Sequence, residues 1–328
     1  MTRVAFIARR LVMAVFLILG VITFLFFFFR LMPGDYATLM ISDGADAEAV
    51  EEIRASWGLD EPLHIQYIAY MSNMMSGDPG VSRRTGRPVW DTVLVALSHT
   101  LILALPAIVL AILIGTIFGA LIGSSPGTLL EKYGIIPPTV AGTTPDFFIG
   151  ILLLVVFSAW IGWFPSGGIA SLGTRREADV FWEIYLTQDF LKHYALPFLT
   201  IVLKYLYLPT LIMRGSVVEV MGQEFMRYQA LVGIRERDRM KHIMKHASLP
   251  VITIVPAVTA TAISGQVLVE IVFNWPGIGR LLFNAVLQRD TPVIQFLFLI
   301  IATWIILGNL VVDILYTIVD PRITYDSE

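Results

Sequence analysis

Two ionisable side chains sit where charge is expensive. Lys204 and Glu270 each interrupt a run that is otherwise apolar. An ionisable group inside a membrane-crossing segment faces a partner, a cavity or a pathway rather than lipid. At 1.5 Å of rise per residue, Lys204 lies about 12 Å inside one end of its run and Glu270 about 28 Å along the next, so their depths overlap. Opposite charges at one depth could form a gate pair or anchor the charged ends of a substrate. Snorkelling, or local pairing with the backbone, is the plainer alternative.

A second constellation occupies residues 222–250. Arg227, Arg235, Arg237, Arg239, Lys241 and Lys245 face only Glu224, Glu236 and Asp238 there, and long apolar runs flank the segment on both sides. Such an island belongs in water. Its spacing predicts two short helices with Gly233 at the turn between them, a rigid knob offering charge-assisted donors. Phe225, Met226 and Leu231 on one helix, and Met240, Ile243 and Met244 on the other, make apolar faces suited to a hydrophobic cleft on a soluble partner. A loop that only sets topology, or lies on anionic lipid, would not need that regular spacing. His242 and His246 are four apart, but with no third ligand nearby they read as surface histidines rather than a metal site.

Other chemistry is missing from the sequence. It holds no HExxH pair, no phosphate-binding GxxxxGK[ST] loop and no GxSxG elbow, and it has no cysteine. The chain is therefore expected to be non-catalytic, to hold no cofactor or metal of its own and to bind no nucleic acid.

The elements that position these residues are membrane helices. With 56% hydrophobic and 15% charged residues and a mean hydropathy of +0.74, the 328-residue chain has too little polar surface for a soluble domain. The reading is an all-α polytopic membrane protein forming one domain with six transmembrane helices, at 6–32, 98–123, 136–163, 195–221, 251–273 and 293–318. Residues 33–97 form a folded insert rich in acidic and aromatic side chains, with a helix expected at 45–56. Gly115, Gly119 and Gly123 recur every fourth residue, a small-residue seam that lets helix backbones approach closely. Residues 274–292 read as a short polar connection, and Arg30 is expected to snorkel to the interface. Leaving out the insert, and counting Arg3, Arg9 and Arg10 as preceding the apolar run that starts at Leu11, eleven Lys and Arg fall on the side of the termini and five on the other. Both termini and the 222–250 segment are thus expected on the cytoplasmic side, and the insert outside.

Several strings, in order, resemble one family: the integral-membrane permeases of ABC importers of the dipeptide/oligopeptide type. Arg30-Leu31-Met32-Pro33-Gly34-Asp35 resembles the family's exit from span one. Trp57-Gly58-Leu59-Asp60-Glu61-Pro62-Leu63 with Gln66-Tyr67, and Gly77-Asp78-Pro79-Gly80 with Ser82, are similar to its insert motifs. Thr144-Pro145-Asp146-Phe147 and Gly162-Trp163-Phe164-Pro165 resemble the two ends of its third span. Glu270 through Phe273, Trp275-Pro276-Gly277 and Gly279 resemble its E-x-x-F-x-W-P-G-x-G string, and Asp313 with Asp320-Pro321-Arg322 its C-terminal signature. In the central segment, Gln229-Ala230 and Gly233 stand for the kernel of the EAA motif and Leu249-Pro250 for its close. The opening acidic-Ala-Ala pattern is absent, with Tyr228-Gln229 in its place.

The resemblance implies a type I ABC importer transmembrane domain in a prokaryotic inner membrane. Its coupling segment would dock to the ATPases through Glu224, Arg227, Ala230, Gly233, Arg235, Arg237, Leu249 and Pro250. Expected partners are a homologous permease forming a heterodimer, two ATP-binding cassette ATPases that carry ATP and Mg, an extracytoplasmic substrate-binding protein, and membrane lipid. Peptides are the expected cargo, with oligosaccharides or nickel complexes as alternatives within the family. An ion-coupled secondary transporter or channel is the alternative of another class, although no internal repeat supports it.

Overall fold

Apolar runs without water to bond their backbone satisfy it internally as helix. Among the described residues of the computed structural model (3–31, 51, 58, 60–177, 183–264 and 266–319) there is no strand, only an isolated bridge between Val81 and Pro88. The expected helix at 45–56 except for residue 51, the Pro33-Gly34-Asp35 exit and the Asp320-Pro321-Arg322 signature lie outside these residues. Among the described residues, four helices are long and apolar enough to cross a membrane: Ala5–Leu31, Val89–Gly123, Gln188–Met221 and Thr291–Val311.

The remaining two expected spans are not straight helices. The third is a bent pair, Leu129–Thr143 and Asp146–Trp160, turned by 102°. The fifth is divided into Leu249–Ser264 and Val267–Val272. The expected polar connection at 274–292 instead contains an amphipathic helix, Ile278–Leu287, with Ile278, Gly279 and Ala285 buried.

The chain forms two compact units, Met1–His99 with Gly277–Glu328, and Thr100–Pro276. In the first unit, α1 (Arg3–Leu31) pairs with the last helix, Thr291–Val319. Arg10 and Asp313 meet at 3.0 Å, and Phe29 lies 6.4 Å from Phe298, centroid to centroid. The insert helix α2 (Leu63–Ser76) lies on α1, where Phe26 contacts the rings of Tyr67 and Tyr70 at 5.3 and 5.4 Å. The Thr23 and Tyr67 hydroxyls are 3.0 Å apart. Arg30 sits over the Phe26 ring at 5.6 Å.

The second unit is organised by the glycine seam. Helix α3 (Val89–Gly123) presents Gly115, Gly119 and Gly123 to the helix Tyr207–Met221. A Cβ at Gly115 would come within 2.6 Å of the Leu206 carbonyl oxygen, and one at Gly123 within 2.9 Å of that of Arg214. At Gly119 the clash is with the Thr210 carbonyl. Each interferes with backbone, which cannot swing aside, so the seam depends on the missing side chains.

Candidate docking surface

The helix-turn-helix expected in the basic segment is present. Helix α10 (Glu224–Leu231) and helix α11 (Glu236–Ala247) flank a turn in which Gly233 has φ 77°. The Gly233 N–H donates to the Ala230 carbonyl at 3.2 Å and the Ile234 N–H to that of Gln229 at 3.1 Å. These are the two bonds of a Schellman close, which ends a helix on a left-handed residue and favours glycine there. The second helix opens with Glu236 and Asp238 and closes with Lys245 and His246, the order that complements its dipole. His242 Nδ1 lies 3.2 Å from Gln229 Oε1, tying one helix to the other.

The apolar faces do not wait for a partner, as the spacing suggested. Met226 and Ile243 are buried, together with Ala247, against Ala120, Met213, Val217, Val220 and Val251 of the same chain. Phe225, Met240 and Met244 pack onto that cluster too. Helical spacing marks a face that must be covered, and here the chain covers most of it itself. Leu231 is the exception at 86% exposure, joined by Tyr228 and Val232 at 68% and 60%. The outward surface is thus the turn, with three large apolar side chains at its tip.

Charge surrounds that tip. Glu224, Arg227, Ala230, Gly233, Arg235 and Arg237 are all exposed. Among the described residues, Arg227, Arg235 and Arg237 make no ion pair, while Lys241 meets Asp238 at 2.9 Å. Leu249 and Pro250 open the following helix, Leu249–Ser264, where a proline near the first turn loses no backbone bond. A cleft of about 230 Å³ beside the knob is lined by Arg227, Glu236, Arg239 and the apolar Met221, Met226 and Met240, among others.

Lys204 and Glu270, in the second unit, are bonded elsewhere than to each other. The Lys204 ammonium donates to the carbonyl oxygens of Gly142 and Thr144 at 2.7 and 2.9 Å. Glu270 is fully buried and accepts from the Thr100 hydroxyl at 2.6 Å. The string that follows Glu270 builds a knot. The Trp275 N–H donates to the Glu270 carbonyl at 2.8 Å, and the Gly168 N–H to that of Phe273 at 2.8 Å. The fully buried Trp275 ring lies 6.1 Å from Phe190 and 6.0 Å from Tyr194. A fully buried aromatic on a segment tied down by such backbone bonds reads as an anchor that holds that segment in place.

One residue that the sequence did not single out is Asp290, in the turn before the last helix. It is 4% exposed and accepts from the Ser82 hydroxyl at 2.5 Å and the Arg83 N–H at 3.1 Å. Its partners are two hundred residues upstream, beyond the reach of any local pattern.

Comparison with known proteins agrees along the whole chain. The family described as "Binding-protein-dependent transport system inner membrane component" matches residues 79–325, and its N-terminal companion, "Binding-prot-dependent transport system membrane comp, N-term", matches residues 1–104. The oligopeptide transport system permease protein AppB of Bacillus subtilis is 36% identical over 324 residues, covering 98% of this chain and 99% of that one. A probable peptide ABC transporter permease protein, y4tP, of Sinorhizobium fredii is 34% identical over 98% of this chain and 99% of its own length. The glutathione transport system permease protein GsiC of Salmonella paratyphi A is 33% identical at the same coverage. The apolar helices, the helix-turn-helix and these matches agree: the chain belongs to the family of inner membrane components of binding-protein-dependent transport systems.

Proposed function

We propose that this chain is the permease subunit of an ABC importer for peptides, and that the turn at Gly233 is where it docks to the ATPases. The observation that carries the docking reading is the tip itself. Tyr228, Leu231 and Val232 are exposed beside arginines that have no acidic partner among the described residues, on a knob whose other apolar side chains are buried or partly buried. Exposed apolar anchors ringed by unpaired guanidinium groups are what a protein partner with an acidic rim would cover. The peptide assignment is supported by relatives whose names specify oligopeptides, peptides and glutathione.

In this reading the chain crosses the membrane six times, the bent third and divided fifth spans included. Both termini and the knob lie in the cytoplasm. A homologous permease completes the pathway, two ATPases bind ATP and Mg, and an extracytoplasmic binding protein delivers substrate to the insert. The helices that carry Lys204 and Glu270 belong to the pathway's wall. What supports this is that both lie within apolar helices and are hydrogen-bonded inside the protein.

Cross-linking provides the test. The chain has no cysteine, so a Leu231→Cys variant carries a unique thiol. In the assembled transporter it is expected to cross-link to an ATPase subunit and, in the complete system, peptide uptake should require ATP and the binding protein. Uptake driven by an ion gradient in the purified chain alone would overturn the reading.

A further inference from the structure

The corner at Thr144–Pro145 leaves backbone groups without their helical partners. In an unbroken helix the carbonyls of Gly142 and Thr144 would accept from the N–H groups of residues 146 and 148. Proline at 145 has no N–H and drives the residue before it out of the helical region. Thr144 is accordingly extended, with φ −72° and ψ 140°, and closes helix α5 (Ile136–Thr143). Helix α6 (Asp146–Leu153) then starts afresh, with the Phe148 N–H donating to the Pro145 carbonyl at 3.1 Å. The carbonyl oxygens of Gly142 and Thr144 are thus among those left open at the negative end of a helix dipole.

Lys204 supplies both missing donors, at 2.7 and 2.9 Å. It sits one residue before the end of helix α8 (Gln188–Tyr205), and three residues on, Tyr207 packs where a Cβ on Gly142 would stand. The stretch 204–207 therefore grips the corner twice, by charge at its carbonyls and by ring contact at Gly142. A lysine placed in this way serves both groups together: the half-buried ammonium obtains two acceptors, and the broken helix obtains a cap.

We propose that Lys204 is a positioning residue for transport, whose ammonium caps the open end of α5 and fixes the angle at Thr144–Pro145. Its role is exerted on the backbone rather than on Glu270 or the substrate. The transport measurement below rests on the proposed function, whereas the distance measurement does not.

The test uses the complete transporter in nanodiscs, with spin labels on cysteines introduced at Val140 and Ile151, both exposed and on opposite arms of the corner. Lys204→Met is expected to broaden the label-to-label distance distribution at least twofold and to lower uptake at least tenfold. Lys204→Arg, which keeps the donors, should restore the narrow distribution and most of the uptake. An unchanged distribution in Lys204→Met overturns the proposal, and if uptake is lost all the same, Lys204 acts on the pathway directly. Should Lys204→Met fail to assemble, Pro145→Ala supplies the decisive background, since it returns an N–H that can bond the Ala141 carbonyl and continue the helix. There the methionine substitution should assemble and cost less than threefold in uptake. Failure to assemble in that background as well, or an equal cost in both, overturns the proposal.

Discussion

Ser82 and Asp290, 208 positions apart in sequence, meet at 2.5 Å in a site closed to solvent. The Ser82 oxygen also accepts the Thr85 N–H at 3.1 Å, so one hydroxyl links a tight loop of the insert to the turn before the last helix. Asp290→Ala would leave the Ser82 hydroxyl and the Arg83 N–H without their acceptor. The expected loss is about 2 kcal/mol, the scale of hydrogen bonds to a charged group. Asp290→Asn, which retains an acceptor oxygen, should lose less. Thermal melts of the detergent-solubilised chain read this, and equal melting temperatures in all three proteins would mean that the clasp contributes nothing.

Gly233 holds φ 77° in the exposed turn, with no atom within 4 Å of where a Cβ would stand. Strain, not crowding, is therefore the cost of substitution, about 1–3 kcal/mol for a residue forced into the left-handed region. Gly233→Val should shift the turn and lower peptide-stimulated ATP hydrolysis several-fold while the subunits still co-purify. Gly233→Asn, which tolerates this conformation, should stay near wild type. Full coupling in the valine variant would dissociate the turn geometry from docking.

The glycine seam makes the opposite prediction, because crowding is its whole basis. Gly119→Val drives a side chain into the Thr210 carbonyl, whereas Gly20→Ala meets nothing within 4 Å. Overpacking at Gly119 should cost about 1–3 kcal/mol and reduce the yield of folded protein. The Gly20 variant serves as the silent control. Size-exclusion profiles of the two in parallel decide the matter.

Glu270→Gln keeps an oxygen that can accept from Thr100, so the buried site should still assemble. If the carboxylate's charge serves the pathway, uptake falls at least fivefold at normal expression. Uptake at the wild-type rate would assign Glu270 to the knot around Trp275 and nothing more.

Deletion of residues 45–54 tests the proposed role of the insert in delivery. Delivery of peptide from the binding protein should fall while ATP hydrolysis without peptide persists. A complex in which the binding protein touches neither the insert nor residues 274–292 would refute that assignment.

Features with a local cause could be read from the sequence. The turn at Gly233 follows from a glycine between two amphipathic stretches, and the seam from glycines at a spacing of four. Both depend on residues a few positions apart. The covering of Met226 and Ile243 by Met213, Val217 and Val251 was not legible, because periodicity reveals which face is apolar but not what lies against it. The bend at Pro145 was missed for another reason. The string Thr144-Pro145-Asp146 marks a boundary, but whether a helix stops there, kinks or turns by 102° depends on whether something can cap the freed carbonyls. That cap is Lys204, sixty positions away, and the same side chain looked from sequence like half of an ion pair. Asp290 was invisible on the same grounds.

The burial of Met226, Ile243 and Ala247 against Met213, Val217 and Val251 has a mechanical consequence. A loop tethered at two points would absorb a push by flexing. A helix pair set into the ends of Tyr207–Met221 and Leu249–Ser264 cannot shift without shearing a close-packed apolar joint, and such interiors yield little before they give way. A force of ATPase origin applied at Leu231 would then act on a stiff crank, and the travel of the tip would reach both helices together as rotation rather than being lost in slack.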